Sequence, residues 1–208
     1  MLYFKHYITD STLLGIWKVE EDRTGLLSML SRHEWVQNIH SIRSESRVLE
    51  ILSTRVLIKE LTGEEKEIRY NDTGKPFLVD GSYHVGVSHT KGYVAVAINQ
   101  EIPIGLDIEY ISEKIKRVQS RLVATDEYID PENDLIHLLL HWSAKEAMFK
   151  FIDVEGVDFL QHLFINKFIP EQGGVFSAFE TRTTRNFRFD AYYKVEKEFV
   201  LVCIEAAG

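Results

Sequence analysis

Two short segments carry acidic and basic side chains at spacings that could do chemistry. In Ile104-Gly105-Leu106-Asp107-Ile108-Glu109 the two carboxylates lie two residues apart. On a strand that spacing puts Asp107 and Glu109 on one face and sends Leu106 and Ile108 to the other, toward a core. Carboxylates side by side repel each other unless something positive lies between them. A hard divalent cation bound through oxygen meets that need, and magnesium commonly takes one or two carboxylates and leaves room for a phosphate. In Trp142-Ser143-Ala144-Lys145-Glu146-Ala147-Met148-Phe149-Lys150, Glu146 and Lys150 are four apart and share a helix face, with Trp142 one turn earlier. Each segment also has a plain reading when taken alone. The first is a solvated strand face, and the second is a surface ion pair worth a few tenths of a kcal/mol.

Two further segments could meet an anion. Val87-Ser88-His89-Thr90 closes a strand-like run. Adjacent side chains on a strand diverge, so Ser88 and His89 are not a nucleophile and its base, and no G-x-S-x-G elbow is present. They serve better as polar donors beside an anion, or as a capping turn. Gly74-Lys75-Pro76 shapes a tight loop that displays Lys75, without the spacing of a P-loop. His137 and His141 are four apart, a spacing that can hold zinc, but Leu138-Leu139-Leu140 lies between them and the H-E-x-x-H glutamate is missing. They read as ordinary helix histidines. The single cysteine, Cys203, sits in an apolar run and reads as a small buried hydrophobe.

The elements that must position these residues follow from periodicity. Leu2–Ile8 and Leu13–Val19 read as strands, and residues 23–32 as a helix. Val48, Leu49, Ile51, Leu52, Val56, Leu57 and Leu61 recur at helical steps between Ser44, a plausible N-cap, and Gly63, a stop signal. Glu67–Tyr70, His84–Ser88 and Tyr93–Ile98 read as strands, and Tyr93–Glu109 as a hairpin turning at Asn99-Gln100-Glu101. Helices are predicted over 115–122 and from Asn133 to Ile152. Strands follow over 163–168, 174–181, 187–194 and 199–205. This order indicates an α+β fold with antiparallel sheets, in two halves of similar content, residues 1–102 and 103–208.

The net charge is −8, from 32 acidic and 24 basic residues, the opposite of the balance a nucleic-acid binder carries. An anionic ligand would need a local basic patch. The N-terminal run is broken by Lys5 and His6 and does not resemble a signal peptide, and no window suggests a membrane span. The expectation is a cytoplasmic protein that binds neither nucleic acid nor membrane.

None of these signals is strong singly, but their order is specific. G-K-P, a strand ending in S-H, I-G-L-D-I-E and then W-S-x-K-E-A-x-x-K resembles the 4′-phosphopantetheinyl transferase superfamily, in its two-domain Sfp type. The resemblance is sharpest over residues 74–150. It implies a monomer of two pseudo-twofold-related halves, each an antiparallel sheet packed with a long helix, with coenzyme A bound between them. It implies that Asp107, Glu109 and Glu146 hold Mg²⁺, or Mn²⁺, against the diphosphate. Lys150 would contact the phosphates, and Ser88 and His89 would touch them too. Lys75 matches the adenine-side loop, and Arg47 a basic residue near the 3′-phosphate. The implied reaction moves phosphopantetheine from coenzyme A to a serine of an acyl or peptidyl carrier protein and expels 3′,5′-ADP, with Glu146 as candidate base and Lys150 assisting. Two other classes stay open on the residues alone: a coenzyme A-binding module without catalysis, and a metal-dependent phosphodiesterase.

Overall fold

A computed structural model describes residues 1–207 of the chain. Two compact units are present, one over Met1–Glu101 and the other from Ile102 onward. The architecture is α+β, as the periodicity indicates, with antiparallel sheets in both units.

In the first unit β1 (Leu2–Tyr7) pairs with β2 (Thr12–Lys18). Helix α1 spans only Arg23–Ser28, shorter than the predicted stretch. The backbone N–H groups of Ser31 and Arg32 donate to the Glu65 carboxylate at 2.7 and 2.8 Å, which draws the chain out of helical geometry. A 3₁₀ stretch over His33–Ser41 follows, which the periodicity does not reveal. Helix α2 (Glu45–Thr62) starts where Ser44 Oγ accepts from the Arg47 N–H and ends at Gly63, whose φ of 80° favours glycine. Its apolar face, Val48, Leu52, Val56, Leu57 and Leu61, is buried against β2 and a later strand, β6. Strands β3 (Ile68–Tyr70) and β4 (Pro76–Leu78) form a small ribbon. β5 (His84–Thr90) and β6 (Tyr93–Asn99) complete a four-stranded sheet of order β1-β2-β6-β5.

The second unit opens with β7 (Ile104–Tyr110). The expected hairpin over Tyr93–Glu109 does not form. Both edges of β6 are already paired, with β2 and β5, so β7 has no ladder open to it there. It pairs instead with the last strand, Asp107 opposite Val202. The predicted helix over 115–122 is a 3₁₀ stretch, Glu113–Arg121, in which Ile115 alone is buried. Ile115, Val118 and the adjoining Leu122 nevertheless pack on the core of this unit. Helix α3 (Asp134–Ile152) and the one-turn α4 (Phe159–His162) precede β8 (Leu163–Ile165), β9 (Gly173–Glu180), β10 (Arg188–Val195) and β11 (Phe199–Ala206). The sheet order is β7-β11-β10-β9-β8, and α3 packs over β7 and β11. Cys203 is buried in β11, and burial pushes its thiol pKa up. No described helix is long and apolar enough to cross a membrane.

Candidate active site

Gly105 explains why the two acidic segments meet. A Cβ at this position would overlap the carbonyl oxygen of Ala147 in α3 and approach its carbonyl carbon to 3.0 Å. Glycine therefore lets the helix backbone press directly onto β7. Ala147 lies between Glu146 and Lys150, so this contact sets both beside Asp107 and Glu109, the next positions on the same strand face. Leu106 and Ile108, on the opposite face, are each 1% exposed.

Lys150 Nζ donates to Asp107 Oδ1 at 2.6 Å and to the Leu106 carbonyl at 3.3 Å. The helix pair of the sequence is thus not a Glu146–Lys150 surface bridge, since the lysine reaches across to the strand. Trp142 Nε1 donates to Glu109 Oε1 at 2.8 Å and fixes that carboxylate from the helix side. Asp107 is 4% exposed, while Glu109 and Glu146 are half-buried. Burial raises the Glu109 pKa, the Asp107 charge raises it further, and Trp142 and Lys150 oppose both. Burial likewise raises the pKa of Glu146, with Asp107 and Glu109 adding and Lys150 opposing. All three carboxylates thus press on one another.

That is the chemistry of a divalent cation site, with oxygen donors, excess negative charge and partial burial. Among the described residues no three such side chains close into a ready-made metal shell. Asp107 leans on the Lys150 ammonium, which supplies one positive charge where the set of three calls for more. The residues fit Mg²⁺ or Mn²⁺ by donor type and charge.

A second polar cluster underlies the first. Lys145 is fully buried and donates to Glu127 Oε2 at 2.7 Å, to the Leu122 carbonyl at 2.7 Å and to the Phe159 carbonyl at 3.1 Å. Glu127 also accepts from the N–H groups of Ala124 and Ile165 at 2.8 and 2.9 Å. This pair pins α3 to the segment before it and to β8, one residue from Glu146. Burial lowers the Lys145 pKa and Glu127 opposes the shift. His137 and His141 are not solvated helix histidines. They are 0% and 1% exposed, with ring centroids 4.9 Å apart, and His137 Nδ1 accepts from the Asp130 N–H at 2.9 Å.

The first-unit candidates fall in three places. Lys75 follows Gly74, whose φ is 85°, and its N–H donates to Asn71 Oδ1 at 2.7 Å. Its residue is half-buried rather than fully displayed. Ser88 is buried and His89 exposed, on opposite faces of β5, as their adjacency requires. Arg47 Nη1 donates to His89 Nε2 at 2.9 Å, which brings two of the predicted phosphate contacts together.

Residues 103–204, the span that holds this acidic centre and α3, match the family described as the 4′-phosphopantetheinyl transferase superfamily. Just under half of the chain is thus similar to this superfamily. The chain is also 34% identical over 110 residues to "4'-phosphopantetheinyl transferase gsp" of Aneurinibacillus migulanus, a match covering 50% of this chain and 46% of that relative. The chain thus spans about half the length of the curated relative that it matches.

Within this span, the sequence named Asp107, Glu109, Glu146 and Lys150 and missed what holds them. Trp142 was visible one turn before Glu146, but its bond to Glu109 requires knowing that α3 crosses β7. Lys145 stood in the motif without a role. Its partner Glu127, eighteen residues earlier in a non-periodic stretch, leaves no sequence signal.

Proposed function

We propose that this chain transfers the 4′-phosphopantetheine arm of coenzyme A to a serine hydroxyl of an acyl or peptidyl carrier protein, with 3′,5′-ADP as the other product. The observation that supports this best is the gathering of Asp107, Glu109, Glu146 and Lys150 at the Gly105–Ala147 contact, inside the span that matches the family. In this reading residues 1–102 supply the adenine and 3′-phosphate contacts, through Arg47, Lys75, Ser88 and His89. Residues 103–208 supply the metal and catalytic residues. The enzyme is taken to act as a cytoplasmic monomer.

Asp107, Glu109 and Glu146 would hold Mg²⁺ or Mn²⁺, which when bound neutralises and orients the diphosphate. Glu146 accepts the proton of the serine hydroxyl as its oxygen bonds to the β-phosphorus. The bond from that phosphorus to the bridging oxygen breaks, and the electron pair leaves on the 3′,5′-ADP phosphate, beside the Lys150 ammonium. Trp142 keeps Glu109 in place throughout, through its indole N–H. The test is the mass of a panel of apo carrier proteins after incubation with coenzyme A, with and without Mg²⁺. A metal-dependent gain of one phosphopantetheine is expected. An unmodified panel removes this reading, and phosphopantetheine released without any carrier points to a phosphodiesterase instead.

A further inference from the structure

The corner where Arg47 meets His89 contains an acid that no anion site needs. Arg47 lies in the first turn of α2, and His89 near the end of β5. A guanidinium has donors only, so His89 Nε2 accepts its 2.9 Å bond, and the neutral ring carries its proton on Nδ1. That Nδ1 lies 3.5 Å from Glu50 Oε2, and the same oxygen accepts from Arg47 Nη1 at 3.1 Å. Glu50 Oε1 accepts from the Ser46 hydroxyl at 3.3 Å. One carboxylate therefore accepts from two donors of α2, Ser46 and Arg47, and lies beside the His89 ring of β5. The group is open to solvent, with side-chain exposures of 46% for Arg47, 41% for His89 and 21% for Glu50.

We propose that Glu50 is a specificity- and affinity-setting residue, an internal counter-ion that holds on Arg47 and His89 the place a coenzyme A phosphate takes and must yield when the ligand binds. This rests on the reading of Arg47 and His89 as contacts to the 3′-phosphate side of coenzyme A. A carboxylate and a phosphate are alternative partners for one guanidinium, and both prefer the same planar fork of donors. They cannot share it without like-charge repulsion, so the phosphate must displace Glu50 and keep it at a distance. The acid weakens every phosphate at this corner. The loss is the same for any ligand with a phosphate here, so Glu50 narrows the preference for coenzyme A over its 3′-dephospho form.

The test compares the wild-type chain with Glu50→Gln, which keeps the size and the Ser46 contact, and with Glu45→Gln, an equal charge change at an exposed position of the same helix. Calorimetry gives the Kd for coenzyme A and for 3′-dephospho-coenzyme A, and carrier modification gives KM and kcat. Glu50→Gln is expected to lower Kd and KM for coenzyme A about two- to fivefold, with kcat nearly unchanged, the scale of an exposed charge contact. Glu45→Gln should change neither, and the gain should vanish with 3′-dephospho-coenzyme A. Equal or weaker coenzyme A binding by Glu50→Gln overturns the proposal and leaves the functional reading intact. So does an equal gain in Glu45→Gln or with the dephosphorylated ligand, because the effect is then a general field. A wild-type chain that neither binds nor turns over coenzyme A overturns the functional reading and this proposal together.

Discussion

The two units solve the same packing problem with different residues. In each, one long helix lies on an antiparallel sheet, and a strand glycine sits beneath it. Under α2 the buried face is apolar, and the buried polar residues of the first unit, Thr12, Ser53, Thr54, Ser88 and Asn99, are all uncharged. Its five histidines are exposed, and its Arg47–Glu50–His89 group stays at the surface. In the second unit the fold buries Asp107, Asp130, Lys145 and Glu180 together with His137 and His141. Buried charge is expensive unless paired, so a domain keeps it where position matters more than stability. The contrast is in keeping with the proposal that the first unit holds the ligand and the second makes the bond.

Kinetics should divide along that line. Asp107→Ala is expected to lower kcat by at least about a hundredfold, the scale of losing one group that stabilises charge in the transition state. Its thermal unfolding should stay close to wild type, because loss of the Lys150 contact is offset by relief of Glu109 and Glu146. Lys75→Ala, in the first unit, should raise KM for coenzyme A about three- to tenfold and leave kcat nearly unchanged. An Asp107→Ala enzyme that keeps its kcat, or a Lys75→Ala enzyme that loses it, would erase the distinction.

Stability should divide the same way. Lys145→Met strands the Glu127 carboxylate, 3% exposed, among backbone donors, and is expected to destabilise by about 3–5 kcal/mol in denaturant unfolding. Lys145→Met combined with Glu127→Gln should recover part of that loss, since no unpaired charge remains. Arg47→Ala breaks a pair of comparable geometry at the surface and should cost under about 1 kcal/mol.

These contrasts show what the sequence could and could not reveal. Alternation and helical spacing located α2, α3 and the strands other than β4 near their observed bounds, because each buries one face. Asp107, Glu109, Glu146 and Lys150 were legible because their types and order are unusual together. Strand partnership was not legible. β6 and β7 are neighbours in sequence and read as a hairpin, yet pairing is decided by which edges remain open, a property of the whole sheet. The Lys145–Glu127 bond and the Glu50 contacts are equally hidden, since they depend on which helix face turns inward and on loops without periodicity. The short α1 shows the same limit, being ended by a carboxylate more than thirty residues away.

The two strand glycines offer a finer comparison. At Gly15 a Cβ would come within 2.8 Å of Leu61 Cδ2 and 2.9 Å of Leu57 Cδ1, the mobile ends of two side chains. At Gly105 it meets the Ala147 backbone, which has no rotamer to change. Gly15→Ala should therefore cost about 1 kcal/mol, and Gly105→Ala about 2–4 kcal/mol together with transfer activity, as α3 is pushed from β7. Circular dichroism melts and the carrier assay on the same samples check both. Equal costs would mean that the helix backbone at Ala147 can shift as easily as a leucine tip.

A further effect is expected in pH dependence, and it too belongs to the second unit. Burial, with the nearby His137 and Lys145 charges, lowers the His141 pKa from 6.5 to about 3. Below pH 6.5 the unfolded chain binds a proton at this ring and the folded chain does not. The stability from His141 is thus complete above that pH and falls as the pH drops toward 3, by about 1.4 kcal/mol per pH unit. His137 is also lowered, by burial against an opposing Asp130, and acts in the same direction. Glu109 and Glu146 act oppositely: their raised pKa values mean that the folded chain takes up protons before the unfolded one as the pH falls toward 4.5. The difference between wild type and His141→Leu isolates the histidine, since the carboxylates are common to both. Urea midpoints between pH 7 and 5 should fall more steeply for wild type. Parallel curves would show that the His141 ring gains its proton without unfolding, and that the second unit is more open to water than its packing indicates.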